Sequence, residues 1–256
     1  MRLKLQLLTQ KGSILPFNYE SAISTWIYSN LAKADSTFVA WLHAKGYNLE
    51  DNQKRFKLFT FSQIELYKPY RFHKRLGFIL EKGRASLTIS FLIDKSLQNS
   101  IVELFQSQDL NIRIGSGRID FQVSSVEILP NPIFKPVMEF TSRSPIFISK
   151  YVENKKHPVY ISPDSAKDYK TYFINNLIEK AEAIGEPLPP ALTDFASQTK
   201  AKSKLLNIDS TNIRAFNFDF VIAAPPELMR IGYFAGFGGK NSSLGLGFCD
   251  IKNDLT

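Results

Sequence analysis

Cysteine and histidine are scarce in this 256-residue sequence, and it has no long apolar run. The single cysteine, Cys249, excludes an internal disulfide, and three scattered histidines cannot supply a zinc-binding spacing. No apolar run approaches the ~18 residues of a membrane-spanning helix, and alternating charges and leucines after Met1 predict a strand rather than a signal peptide. We therefore expect a soluble, cytoplasmic protein without metal, other cofactor or membrane contact.

Positive charge is abundant and unevenly distributed. The chain has 32 Lys and Arg against 24 Asp and Glu, a formal net charge of +8. Between Lys54 and Arg84 the sequence contains nine basic residues and only two acidic ones, and aromatic residues are interleaved with them. Cations suit phosphates and rings suit unstacked bases, so Arg71, Lys74 and Arg75 are candidate RNA contacts. The alternative is an ordinary solvated charged face.

The first half of the chain follows the order βαββαβ. Leu3, Leu5 and Leu7 alternate with polar residues, which predicts a strand over residues 2–9. Helices are predicted after residue 18, over 35–46 and after residue 94, and strands over 56–66, 85–91 and 119–128. A change of phase at Ser124 and Ser125 predicts a β-bulge. The first domain is expected over residues 1–130.

A proline-rich linker near residues 130–136 precedes a second series of elements. Strands are predicted over 137–149 and 213–222, a helix from Ser162-Pro163 to Gly185, and a short helix from Pro225-Pro226. Residues 187–190 and 200–204 are predicted as loop, and the second strand is poorly marked. A second βαββαβ domain over residues 136–256 makes the whole an α+β protein of two tandem domains.

A glycine-rich stretch, residues 236–247, lies close to the C-terminus and is called the glycine loop below. It contains two Gly-x-Gly pairs with a polar insert between them, and its candidate RNA-binding residues are Gly236, Gly238, Lys240, Asn241, Ser242, Ser243, Gly245 and Gly247. Glycine would let a phosphodiester backbone approach and would permit positive φ, so that N–H groups converge into an anion-binding nest. The alternative is a mobile hairpin near a chain end.

Two known phosphate-binding loops are excluded by single residues. A Walker loop needs glycine six residues before Lys240 and Ser or Thr after it, where Phe234 and Asn241 stand. The dinucleotide fingerprint needs a third glycine at position 241.

The stretches Asn217–Gly238 and Leu244–Asp250 resemble the C-terminal signature of CRISPR-associated repeat-RNA-binding proteins, the RAMP superfamily, and within it the endoribonuclease family Cas6. The resemblance lies in the order strand, short helix, glycine loop and final strand, and in the paired glycines. It implies two tandem ferredoxin-like, RRM-like domains. It also implies a protein that binds CRISPR repeat RNA.

A metal-free ribonuclease must deprotonate a 2′-hydroxyl, protonate the leaving 5′-oxygen and stabilise the charged phosphorane. His43 suits the proton transfers, since histidine titrates near ~6.5 and the end of a predicted helix favours its charged form. In the resembling family a histidine here is the usual acid or base, with a tyrosine about four turns upstream and a lysine nearby, which matches Tyr28 and either Lys45 or Lys54. The alternative for His43 is a packed histidine.

Three functions remain open from the sequence. The first is a metal-independent endoribonuclease that cuts within the repeat by 2′-hydroxyl attack, leaving 2′,3′-cyclic phosphate and 5′-hydroxyl ends. The second is a non-catalytic repeat-RNA-binding or structural protein of the same superfamily, and the third is a general RNA-binding protein. A CRISPR effector complex is a further candidate partner, and either a monomer or a homodimer is compatible with the sequence.

Overall fold

The computed structural model describes residues 1–34, 47–48, 55–93, 98–106, 108–115, 117–155, 157–164, 167–189, 191–208, 211–239 and 242–252. The chain divides into two compact units. The first comprises Met1–Ala44, Ser62–Ile89 and Ile93–Asn131, and the second Lys45–Phe61, Ser90–Leu92 and Pro132–Thr256. The second unit thus takes two short segments from the part of the chain that the sequence predicts as the first domain.

The described helices and strands follow in chain order. They are β1 (Arg2–Leu8), β2 (Ser13–Leu15), α1 (Glu20–Ala34), β3 (Tyr47–Asn48), β4 (Arg55–Phe56), β5 (Phe59–Phe61), β6 (Glu65–Leu66), β7 (Tyr70–His73), β8 (Gly77–Leu80), β9 (Arg84–Phe91), α2 (Gln98–Phe105), β10 (Asp109–Ile114), β11 (Gly117–Leu129), β12 (Val137–Ser142), β13 (Ser149–Lys150), β14 (Val159–Tyr160), α3 (Tyr169–Ala183), β15 (Asp194–Ser197), β16 (Lys202–Ile208), β17 (Thr211–Asn217), β18 (Asp219–Ala223), α4 (Pro226–Ala235), a 3-10 turn (Ser242–Leu244) and β19 (Cys249–Ile251).

The first unit is built on an antiparallel sheet in the order β10-β11-β1-β9, with β6 paired to β9. Leu3, Leu5 and Leu7 are fully buried, as their alternation predicts. Gln6 faces Ser125 whereas Leu7 faces Val123, so Ser124 is an extra residue and the predicted bulge is confirmed. Helix α1 lies against α2 and β10.

The second unit contains an antiparallel sheet in the order β15-β18-β12-β19. In chain order these are the second, third, first and fourth strands of a βαββαβ unit, with α3 and α4 as its helices. Gly185 ends α3 with a φ of 68° and a bond from its N–H to the Glu182 carbonyl, and Pro225 is the N-cap of α4, so the predicted end of α3 and start of α4 are confirmed. The predicted start of α3 at Ser162-Pro163 is wrong, because the helix begins at Tyr169 after the N-cap residue Asp168.

Three further sequence predictions in the second unit need correction. The segment predicted as loop at 200–204 enters strand β16, and the single strand predicted over 213–222 is two strands that meet at Phe218. Strand β17 pairs with β16 in a hairpin, whereas β18 pairs with β12 and β15. The strand predicted over 137–149 ends at Ser142, whose hydroxyl accepts the N–H of Phe218. Alternation of side chains continues through such a break, so it cannot reveal a change of pairing partner.

The protein is therefore α+β, with two ferredoxin-like units in tandem. No helix in the described part of the chain is both long and apolar enough to cross a membrane.

Candidate nucleic-acid interface

The middle part of the basic segment predicted over Lys54–Arg84 forms an antiparallel hairpin of β7 and β8 in the first unit, which we call the basic hairpin, Tyr70–Leu80. Strand β8 also pairs with β2. All four residues of β7 are exposed. The turn is closed by His73, whose Nδ1 accepts the N–H groups of Arg75 and Leu76. Strand β7 and the turn thus display their side chains to solvent, whereas β8 is buried or half-buried beneath them.

An aromatic cluster gives the basic hairpin an apolar base. The Phe78 ring centroid lies 5.4 Å from that of Phe72 and 6.0 Å from those of Phe17 and Tyr70. Phe72 is nevertheless 63% exposed and Tyr70 38% exposed. Exposed rings beside cations are suited to stacking on unpaired bases.

The three predicted cations of the basic hairpin differ in their surroundings. Arg71 is ion-paired, with its Nε 2.5 Å from Glu81 Oε1. Arg75 lines a cavity of about 550 Å³ together with Arg118, Phe17 and Leu76. Lys74 lies in the turn. Because Glu81 offsets part of the Arg71 charge, we expect Lys74 and Arg75 to contribute more than Arg71 to contacts with phosphates.

All four paired glycines of the glycine loop have positive φ, as the sequence predicts. The reason for glycine is different from the one predicted. A Cβ on Gly247 would lie 1.9 Å from the Phe237 carbonyl oxygen, and one on Gly245 would lie 2.3 Å from the Phe61 ring. A Cβ on Gly238 would lie 2.7 Å from an Ile146 methyl carbon. The missing side chains therefore leave room for the protein itself rather than for a ligand.

The backbone N–H groups of the glycine loop also serve the protein's own structure. Those of Phe237, Gly239, Gly245 and Gly247 each donate to a backbone carbonyl oxygen, at 2.7 to 2.9 Å. The predicted anion-binding nest is therefore wrong for these four groups. A loosely held hairpin is also wrong for the described part of the loop, since its paired glycines are buried.

We call residues 239–244 the tip of the glycine loop, and among the described residues of the loop the half-buried ones occur only there. Ser242 and Ser243 are buried, whereas Gly239 and Leu244 are half-buried. Lys240 and Asn241 lie outside the described residues. The assignment of this loop to RNA binding stays a prediction, and it now depends on the tip.

Beneath the glycine loop, α3 places a lysine that sequence reasoning missed. Lys180 is 1% exposed, and its Nζ donates to the carbonyl oxygens of Gly236 at 2.6 Å and Gly238 at 3.4 Å. Burial lowers the pKa of Lys180 to about 7, with Glu179 acting weakly in the opposite direction. Its position on the apolar stripe of α3, seven residues after Phe173 and three after Leu177, is the signal that could have found it.

Of the predicted catalytic residues, only Tyr28 is described. It lies on α1 and is 7% exposed, so its ring belongs to the packed interior of the first unit. His43, Lys45 and Lys54 lie outside the described residues. The catalytic assignment stays a prediction.

Comparison with known proteins points to one family. The family described as "CRISPR associated protein Cas6, C-terminal" matches residues 129–251. A protein of Methanocaldococcus jannaschii named "CRISPR-associated endoribonuclease Cas6 1" is 27% identical over 256 residues, covering 99% of this chain and 92% of the relative.

Solved structures match this chain over nearly its full length. One titled "CRISPR associated protein Cas6" is 25% identical with a TM-score of 0.76, and 99% of each chain is covered. Another, titled "An RAMP protein binding different RNA substrates", shares the fold with a TM-score of 0.80 at 23% identity, and covers 99% of this chain and 100% of its own.

Proposed function

We infer that this chain, which belongs to the Cas6 family, is an endoribonuclease that binds CRISPR repeat RNA and cuts within the repeat to produce mature CRISPR RNA. One observation carries this proposal: the likeness to a CRISPR-associated endoribonuclease extends over nearly the full length of both chains. The exposed basic hairpin supports it, because rings and cations on one surface suit single-stranded RNA.

The proposed reaction needs no metal. His43 transfers protons to or from the 2′-hydroxyl and the leaving 5′-oxygen, which leaves 2′,3′-cyclic phosphate and 5′-hydroxyl ends. Lys45 or Lys54 stabilises the charged phosphorane, and Tyr28 assists from α1. The family resemblance and the chemistry of these groups support the assignment.

Two surfaces are proposed to hold the RNA. In the first unit, Arg71, Lys74 and Arg75 contact phosphates while Phe72 and Tyr70 stack on bases. In the second unit the tip of the glycine loop contacts the RNA backbone, with Lys240 and Asn241 as donors. Ser242 and Ser243, the further donors that the sequence predicts, are buried and would have to become exposed when RNA binds. The paired glycines Gly236, Gly238, Gly245 and Gly247 hold the conformation that presents this tip.

Cleavage of the repeat encoded nearest the gene tests the function. We expect end-labelled repeat RNA to be cut at one position in the presence of EDTA, with a product end that resists phosphatase until the cyclic phosphate is opened. Tight binding without cutting would contradict the nuclease and favour the non-catalytic protein of the same superfamily. Equal affinity for the repeat and unrelated hairpins would favour a general RNA-binding protein.

The cellular setting is also a proposal. We place the protein in the cytoplasm, where the RNA it processes is transcribed, and we expect a CRISPR effector complex to receive the product. Light scattering of the purified protein at working concentration distinguishes the monomer from the homodimer.

A further inference from the structure

We propose that Lys180 is a positioning residue for RNA: it fixes the glycine loop by drawing the carbonyls of Gly236 and Gly238 inward, and it places a positive charge beneath the surface that meets the phosphate backbone. The inference rests on the proposed function, because it assumes that the glycine loop meets RNA.

The geometry gives Lys180 two roles at once. Its Nζ binds the carbonyl oxygens on either side of Phe237, so the one side chain sets the direction of two peptide groups. Gly238 is buried and the next residue, Gly239, is half-buried, so Lys180 holds the loop next to the point where its described part begins to be exposed. Removing Lys180 would leave the buried carbonyl oxygens of Gly236 and Gly238 without this donor, which weakens the hold on the two peptide groups that it orients.

The charge of Lys180 has an unusual setting. Among the described residues its partners are carbonyl dipoles, and it has no ion-pair partner there. Glu179 on α3 is the charged group that acts on it, and α4 carries Glu227 and Arg230, of which Arg230 is paired with Glu186. A buried charge without a counter-charge is costly, and its field is weakly screened. We expect a phosphate on the loop tip to supply a negative charge that the described residues do not place beside Lys180.

This arrangement couples RNA binding to the protonation of Lys180. Burial holds the pKa of Lys180 at about 7, so a nearby phosphate would raise it and RNA would bind the protonated form more tightly. If bound RNA raises this pKa by about one, affinity falls about sixfold between pH ~6.5 and ~8.5 by linkage. Histidines titrate in the same range, so the effect must be read as a difference between variants that keep all three histidines.

The matched pair of variants is Lys180→Met and Lys170→Met. Both make the same change on α3, but Lys170 is half-exposed and paired with Asp194 at the surface. The probe is repeat RNA with a single 2′-deoxy group at the mapped cleavage position, and the affinity is measured at both pH values and constant salt. We expect Lys170→Met to keep the wild-type affinity and pH dependence. Lys180→Met should bind the RNA at least tenfold more weakly than the wild type, which is about the effect of removing one charge-assisted hydrogen bond. Its affinity should also lack the part of the pH dependence that comes from the titration of Lys180.

Several outcomes would overturn the proposal. Wild-type affinity in Lys180→Met excludes positioning, and an unchanged pH dependence in that variant excludes the charge. If Lys180→Met does not fold, the proposal is tested on the wild-type protein by following the NMR signals of the lysine Cε atoms as a function of pH. One lysine should titrate near neutral pH and shift to higher pH with RNA, and a titration unmoved by RNA contradicts the proposal. A wild-type chain that binds no repeat RNA overturns the proposed function as well, so the two failures are distinct.

Discussion

The Cβ positions of the glycine loop are already occupied by neighbouring atoms of the protein, and this determines how single residues there should respond to mutation. Any side chain added at Gly247 would place its Cβ 1.9 Å from the Phe237 carbonyl oxygen. This oxygen belongs to the backbone, which cannot move aside as a flexible side chain can. Each of these glycines also has positive φ, which costs a residue with a Cβ about 1–2 kcal/mol. The two costs can be separated because another glycine carries only one of them.

We therefore predict that Gly247→Ala unfolds far more easily than Gly185→Ala. Gly185 has a φ of 68° and no atom within 4 Å of its Cβ position, so it should lose only the ~1–2 kcal/mol of the conformational term. Urea unfolding of both variants measures the difference, and RNA affinity should follow the folded fraction. A Gly247→Ala protein as stable as Gly185→Ala but unable to bind RNA would restore the original explanation, in which the glycines make room for the RNA backbone.

The second prediction at this scale concerns His43. His43→Ala should abolish cutting while repeat affinity stays within a few-fold, because the absence of proton transfer costs ~10²–10⁴ in rate without weakening the hold on any phosphate. Single-turnover cleavage beside an equilibrium binding curve measures both quantities. Tyr28→Phe is the conservative companion, since it removes one hydroxyl and leaves the buried ring in place. Cleavage at the wild-type rate by His43→Ala would end the assignment.

At the scale of secondary structure, the basic hairpin is the element most open to RNA. We predict that Lys74→Ala with Arg75→Ala lowers the salt dependence of repeat binding by a slope of ~0.7 for each single-strand phosphate that is no longer neutralised. Arg71→Ala should lower this slope by less, since Arg71 already pairs with Glu81. Glu81→Gln is the converse test and should strengthen binding at low salt. A slope unchanged in all three variants would place the RNA elsewhere.

Elements with one clear period were predictable from the sequence, and elements defined by their partners were not. Strand β1 and helix α4 follow from leucine alternation and from Pro225-Pro226. Strands β16 and β17 were missed as a hairpin because alternation does not reveal which neighbour a strand pairs with. The glycine loop was found, but not the packing that requires glycine, since Phe61 and Phe147 approach it from distant parts of the sequence. Lys180 was missed because a lysine on a helix is usually solvated.

At the scale of the whole molecule, the second unit takes chain segments from the N-terminal half. Phe56, Leu58 and Leu92 are at least nine-tenths buried in the core of the second unit, although they precede Pro132 in the sequence. Thr60 Oγ1 donates to the Leu246 carbonyl oxygen at 3.0 Å, which ties the same segment to the glycine loop. The second unit is therefore incomplete without residues from the N-terminal half of the chain.

We predict that a fragment of residues 132–256 does not fold independently. It lacks three buried apolar side chains, worth about 1.5–3 kcal/mol each, and their sum is comparable with the ~5–15 kcal/mol that stabilises a typical domain. Thermal unfolding followed by circular dichroism should show no cooperative transition for the fragment. The control is the full-length chain cut by a protease at a site inserted between Asn131 and Pro132, which has the same break in the chain but keeps every residue, and it should unfold cooperatively. A fragment that unfolds at the temperature of the cut full-length protein would contradict the prediction, because the segments at 45–61 and 90–92 would then contribute nothing that the second unit needs.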